Sequence, residues 1–208
     1  MKKLYLHETD IYPYDELKNI LQNNMIIYIS NPHYINYIEK IRETYTNIII
    51  YYYIFNEYHI DNYIKHTMID CIYYKTDEIY NLLKYDIPND KLVKTKAITF
   101  GTFDLFNIGH KNIFNSAHDY SETLIVGIYD HDNIETFMSI EDRCDIVEDY
   151  ILVDEIFIDK SLKLKNEYIK QYNANILIVG DDWKDTTNLL ECMIIYLPKK
   201  SNMNRIMY

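Results

Sequence analysis

Between positions 97 and 114 the chain reads AITFGTFDLFNIGHKNIF, an apolar β-rich run followed by a glycine, an aspartate, a second glycine and a histidine. Gly101, directly after the run, has no side chain to hold a bound phosphate or sugar away from the backbone. Gly109 and His110 stand where a helix is expected to open. The first N–H groups of a helix lack intrahelical partners, and its dipole favours an anion there. An imidazole at position 110 would lie over the same anion. These residues suit the binding of a polyphosphate and the stabilisation of charge developing at phosphorus. The competing reading of His110 is a helix-start histidine with no ligand. Asp104 is expected to tie down the loop through backbone N–H groups and to do no chemistry.

Two more groups belong to the same chemistry. Arg143, in IEDR, either reaches a phosphate or forms a surface pair with Glu141 or nearby acids. In GDDW (180–183), Gly180 ends a strand, Asp181 and Asp182 can accept from a base or ribose or help hold a metal, and Trp183 can pack on the site. A strand-end turn with an aromatic plug is the alternative. His7, His33, His59, His66 and His118 show no ligand spacing with cysteine or acidic partners. Ser30, Asn31 and His33 follow a strand, as ligand contacts or as a plain connecting loop.

The elements that must position these groups alternate. In the second half, strands are expected at 96–100, 122–130, 153–158, 175–180 and 192–198, with helices from about 108, at 140–150 and at 165–172. This predicts an α/β fold, a Rossmann-like parallel sheet with right-handed crossovers, whose ligands sit beyond the carboxyl ends of the strands. The motifs fall at those ends. The first half predicts a small α/β domain over 1–84, with strands at 25–30, 47–55 and 68–74. Its helices are expected at 32–45, where Ile35, Ile38 and Ile41 share a face, and at 76–84. Residues 85–95, with Pro88, Asn89 and Asp90, read as a linker before a second domain over 96–208.

Composition sets outer bounds. The 208 residues are 48% hydrophobic and 25% charged, as in an ordinary globular chain. A formal net charge of -11 denies the chain the electrostatic footprint of a nucleic-acid binder. Phosphate binding must then rest on helix starts, a few placed cations and a metal ion. Cys71, Cys144 and Cys192 form no CxxC pair, which argues against a disulfide framework or a zinc site. MKKLYLHETDIY lacks the apolar core of a signal peptide, and no apolar run reaches the ~18 residues of a membrane span. A reducing cytoplasm is the expected compartment. The 23 tyrosines read largely as coding bias, a residue type that strands accommodate.

The segment 97–114 resembles the cytidylyltransferase signature GTFDxxHxGHxxxL, especially that of bacterial glycerol-3-phosphate cytidylyltransferases. The resemblance continues through LIVGIYD (124–130), SIEDRCDIVEDYILVDEIF (139–157), NILIVGDDW (175–183) and IIYLP (194–198). It implies a nucleotidyltransferase that moves CMP from CTP to a small phosphorylated alcohol, with Mg2+ accompanying the nucleotide and a possible homodimer. The implied catalytic positions are His110 and Asn107. Gly101, Thr102, Phe103, Gly109, Arg143, Gly180, Asp181, Asp182, Trp183 and Lys199 are the implied nucleotide-binding positions. Asn107 replaces the first family histidine and offers N–H donors without positive charge. His131 stands where the family often has aspartate. The family's closing RTxGISTT segment reads PKKSNMNRI here. Two other expectations therefore stay open: a silent nucleotide- or partner-binding homologue, and an adenylyltransferase of the same superfold.

Overall fold

In the computed structural model, described over residues 2–6, 11–55, 68–75, 87, 89–131, 134–180, 183, 190 and 192–197, the chain divides into two compact units, Met1–Thr95 and Lys96–Tyr208. The first unit holds strands β1 (Lys2–Leu6), β2 (Met25–Ile29), β3 (Ile48–Ile54), β4 (Cys71–Tyr74) and β5 (Leu92–Lys94). They pair in that order, every neighbour parallel. Side chains alternate across the pleat, so Ile27, Ile29, Ile50, Tyr52, Ile54 and Ile72 share a face. That face packs with Leu17 of helix α1 (Tyr14–Ile20) and with Ile38 and Ile41 of helix α2 (Ile38–Thr44) in one buried cluster.

Tyr5, Tyr28, Tyr51, Tyr53 and Tyr73 take the alternate positions, while Tyr52 and Tyr74 join the core cluster. Tyr5 stacks on Tyr28 with ring centroids 4.9 Å apart, and Tyr53 stacks on Tyr73 at 4.5 Å. Part of the tyrosine excess thus works as cross-strand aromatic pairing. Arg42 of α2 donates to the Met68 carbonyl at 2.9 Å and to Asp70 at 2.6 Å, which anchors the approach to β4. The predicted helix over 32–45 opens as a 3-10 turn, Pro32–Tyr37, capped by the Asn31 side chain on the His33 N–H. Asn31 is therefore a structural cap, and His33 lies against Tyr37 with its Nε2 3.0 Å from the hydroxyl.

Three elements were not legible in the sequence of this unit. β1 and α1 lie before the first predicted strand. Leu92–Lys94, expected in a linker, forms the edge strand β5 against β4. An edge strand pairs on one side only, so three residues with an exposed lysine suffice and no long apolar run announces it. The helix expected at 76–84 lies outside the described residues.

The second unit holds β6 (Lys96–Gly101), α3 (Ile108–Tyr120), β7 (Thr123–Tyr129), α4 (Ile140–Glu148), β8 (Glu155–Asp159), α5 (Lys165–Gln171), β9 (Ile176–Gly180) and β10 (Met193–Leu197). Their sheet is parallel, in the order β10-β9-β6-β7-β8. The chain begins in the middle, runs to one edge and then returns to build the other. This is the Rossmann-like layout expected from the sequence. Its order reverses between β6 and β9, where open parallel sheets leave a crevice at their carboxyl ends. Ala97, Ile98, Val126, Ile128, Ile176 and Ile178 are buried in near-continuous apolar strands, as a sheet covered on both faces requires.

Gly127, at the centre of β7, marks how tightly this sheet is covered. A Cβ there would lie 2.7 Å from Phe157 and 2.8 Å from Phe100. Gly127→Ala is therefore expected to destabilise the unit by about 1–3 kcal/mol, the usual cost of overpacking. Urea unfolding of the variant beside the parent chain measures it. An unchanged midpoint would show that the two rings yield freely.

Candidate functional site

The loop from β6 to α3 is held by its own side chains. Asp104 accepts hydrogen bonds from the backbone N–H groups of Phe137 at 2.8 Å and Met138 at 3.1 Å. These bonds, with the nearby Arg143 charge, hold its carboxyl below the ordinary range. This is the loop-fixing role read from the sequence. On either side, Phe103 and Leu105 take φ of 52° and 45°, the left-handed region that costs non-glycine residues energy. Phe103 is buried, its ring 5.4 Å from Phe114 and 5.3 Å from His110. A Cβ on Gly101 would lie 2.9 Å from the Phe103 ring. Within the protein itself, then, Gly101 is required for the return of Phe103 under the loop.

Asn107 is the N-cap of α3. Its Oδ1 accepts from the Gly109 N–H at 2.9 Å, and its Nδ2 donates to the Leu105 carbonyl at 3.3 Å. The backbone N–H of Asn107 donates in turn to Nδ1 of His110 at 3.2 Å, completing a reciprocal capping box. With Nδ1 accepting, the ring proton of neutral His110 belongs on Nε2, which is left as a donor. Burial pushes the His110 pKa down, so the ring is neutral at pH 7. A Cβ on Gly109 would lie 3.0 Å from the Asn107 carboxamide, so the cap fits closely over the first turn.

Arg143 is neither on the surface nor paired with Glu141. It is 3% exposed, and its Nη1 donates to the carbonyls of Thr102 and Tyr129, both at 2.8 Å. One guanidinium thus ties the end of β7 to the residue after β6. Its Nε has no hydrogen-bond partner. Ser139, the N-cap of α4, accepts from the Asp142 N–H and starts the helix that carries Arg143 inward.

A second cluster lies at the carboxyl ends of β7 and β8. Lys165, 7% exposed at the start of α5, donates to the Tyr129 hydroxyl at 3.1 Å. Its ammonium lies 4.1 Å from the centre of the Trp183 ring, 5.0 Å from Phe100 and 5.6 Å from Tyr129. Burial lowers its pKa to about 8, with Asp159 opposing the shift. Burial likewise pushes the Tyr129 hydroxyl upward. Asp159 is fully buried, accepts from the Ser161 N–H at 3.0 Å, and lies 3.6 Å from His131 Nε2. The Oδ2 of Asp159 and the Nε2 of His131 both lack a hydrogen-bond partner. Asp130 is engaged by Lys160, whose ammonium holds the carboxyl below its ordinary range.

Of the residues singled out in the sequence, the fold brings Gly101, Thr102, Phe103, Asn107, Gly109, His110 and Arg143 to one strand–loop–helix junction. Gly180 ends β9, across the switch point. Trp183 joins Lys165 and Tyr129 instead. Asp181, Asp182 and Lys199 lie outside the described residues. Lys165, Tyr129 and Asp159 were missed, because a lysine in a predicted helix carries no sign of burial until its neighbours are known.

The Cytidylyltransferase-like family model matches residues 98–201. The chain is 34% identical over 116 residues to a glycerol-3-phosphate cytidylyltransferase of Bacillus spizizenii, covering 52% of this chain and 90% of that protein. It is 25% identical over 120 residues to an FAD synthase of Thermococcus sibiricus, covering 55% of this chain and 78% of that protein. Against a probable ethanolamine-phosphate cytidylyltransferase of Schizosaccharomyces pombe it is 28% identical over 105 residues, 48% of this chain and 29% of that protein. With half of its length matched, this chain belongs to the cytidylyltransferase-like family. The family model's match does not extend to residues 1–97.

Two outcomes follow from this geometry. Arg143→Met strands two carbonyls and should cost roughly 2–6 kcal/mol of stability, at about 1–3 kcal/mol for each group left unpaired, the part-buried Thr102 carbonyl toward the low end; denaturant unfolding reads it. His110 has a folded-state pKa below its unfolded value. Its contribution to stability is therefore present above the unfolded pKa of about 6.5 and is lost as pH falls below it. An NMR titration of the ring should place its midpoint below that value, and a midpoint above it would reverse the sign.

Proposed function

We propose that this chain transfers CMP from CTP to a phosphorylated alcohol of the glycerol 3-phosphate type and releases pyrophosphate. The observation that carries the reading is the junction of β6 and α3, where Gly109, His110 and the buried Arg143 converge in a chain of this family. An oxygen of the acceptor phosphate attacks the α-phosphorus of CTP. A new phosphorus–oxygen bond forms, the α–β bridge breaks, and pyrophosphate takes the electron pair. The nucleophile is already an anion at neutral pH, so no protein base is required. Catalysis is positioning and charge stabilisation.

In this reading the Nε2–H of His110 and the start of α3 donate to the triphosphate, and Arg143 adds positive potential beneath it. Lys165 supplies the cation at the acceptor end. Mg2+ belongs with the nucleotide, where it would shield the phosphate charge. Among the described residues no three His, Cys, Asp or Glu side chains are grouped to hold a metal, so no step is assigned to a protein-held ion.

One observation favours a silent nucleotide-binding homologue instead. Both amide atoms of Asn107 are engaged within the loop, and neither brings the charge that a histidine would. The FAD synthase relatives favour testing ATP as well.

Thermal shift with CTP, ATP and Mg2+, followed by pyrophosphate release with glycerol 3-phosphate, separates these readings. CTP at a hundred times its Kd should stabilise by about 2.7 kcal/mol, with turnover. CTP stabilisation with no turnover points to the silent homologue, and an ATP-only shift to adenylyl transfer. No shift with either nucleotide removes the proposal. Asn107→His is expected to raise kcat by roughly 10²–10³, the scale of one charge-stabilising donor. The same change should lower stability by about 1 kcal/mol through the lost cap.

A further inference from the structure

Resting on the function proposed above, we propose that Tyr150 is a positioning residue, which acts through Phe106 to hold the His110 imidazole in the orientation that leaves its Nε2–H as donor. The ring of Tyr150 lies 5.7 Å from that of Phe106 and 5.5 Å from that of Phe114. Phe106 in turn stacks on His110, with centroids 5.5 Å apart and planes 24° from parallel. Phe103 meets the same imidazole in a T-shaped contact at 5.3 Å. All of these separations fall within the range of favourable aromatic pairs.

The rings matter because the polar hold on His110 is slight. Its bond from the Asn107 N–H to Nδ1 is 3.2 Å long and exposed, so water competes for both groups. A half-turn of the imidazole would put a carbon where Nδ1 stands and break the capping box. Phe106 and Phe103 fix the plane of the ring, which that bond by itself does not. Burial lowers the His110 pKa, and these are the rings it lies against.

Tyr150 is itself held firmly. It stands two residues beyond α4, in a turn closed by its N–H on the Val147 carbonyl at 3.2 Å and by the Val153 N–H on its own carbonyl at 2.8 Å. Its hydroxyl is 3.5 Å from Oδ1 of Asn115, too long to carry weight, so the ring is the working part. The helix that carries Arg143 inward thus braces the junction twice, once through hydrogen bonds and once through rings. Without Tyr150, Phe106 keeps only His110 and Phe114 as ring partners among the described residues.

NMR of the full chain labelled with 15N-histidine tests this, at temperatures where circular dichroism shows each variant folded and with His110 assigned by comparison with His110→Gln. Above its titration midpoint, His110 of the parent chain should show the nitrogen shifts of a single Nε2–H tautomer. Tyr150→Ala should mix the two tautomers and raise the midpoint toward about 6.5. It should also lower kcat roughly 10–10²-fold, the scale of a misplaced group, while KM for CTP stays within about twofold. Tyr150→Phe keeps the ring and should match the parent throughout. An unmoved tautomer and midpoint in Tyr150→Ala overturn the proposal, as does a kcat equal to that of an active parent, or a Tyr150→Phe chain that behaves like Tyr150→Ala. Should Tyr150→Ala not fold, Phe106→Leu takes its place, with the same expected and overturning results. If no acceptor is turned over, the transferase reading fails, while the tautomer and the titration still test the positioning.

Discussion

The second unit depends on where the charge of Arg143 has been put. An arginine cannot shed its proton in a protein, so burying one commits the fold to a fixed positive charge. Here the guanidinium answers to two carbonyls, of Thr102 and Tyr129. The carbonyls engage Nη1 but do not neutralise the charge, and Nε has no partner. Among the described residues no carboxylate lies in ion-pair contact with it. The Asp104 and Asp130 carboxylates feel this charge through space. On the proposed reading an incoming phosphate would add a further anion beside it, and the structural bond and the binding function would come from the same group.

The loop above Arg143 is shaped by the same demand. Two non-glycine residues in the left-handed region cost roughly 1–3 kcal/mol each. The surroundings offset this through the burial of Phe103 and the two N–H bonds to Asp104. Those bonds fasten the loop to residues 137–138, just before the helix that carries Arg143. The loop, the arginine and the following helix are one assembly. A displacement in any of them would move His110, whose ring packs on Phe103 and Phe106.

Much of this was legible in the sequence, and the limits have physical causes. The strands of the second unit are long apolar runs, so their order and the strand–loop–helix motif could be read directly. The spacing of Gly101, Asp104, Gly109 and His110 carried the junction because each acts on its near neighbours along the chain. Arg143 was placed correctly in a helix, but its burial depends on two carbonyls 41 and 14 residues away. Lys165, Tyr129 and Asp159 meet only when β7, β8 and α5 pack, and no local pattern marks them. In the first unit, β1, α1 and β5 are short, with polar residues among few apolar ones. Pairing to a neighbour makes them regular, and periodicity cannot show pairing.

The role of Asn107 follows from separating binding from catalysis. On the proposed reading the helix start and Arg143 would act on phosphate charge that is present before reaction, and so strengthen the ground state and the transition state alike. A cation at position 107 would act mainly on charge that develops as the α–β bridge breaks. Replacing it by a neutral cap leaves the first kind of interaction intact and gives up the second. The capping box then holds His110 in one tautomer, with Nε2–H as donor. On the proposed reading the junction would retain affinity for a triphosphate while its chemical step slows, because the bracing of strand, loop and helix does not depend on a charge at position 107.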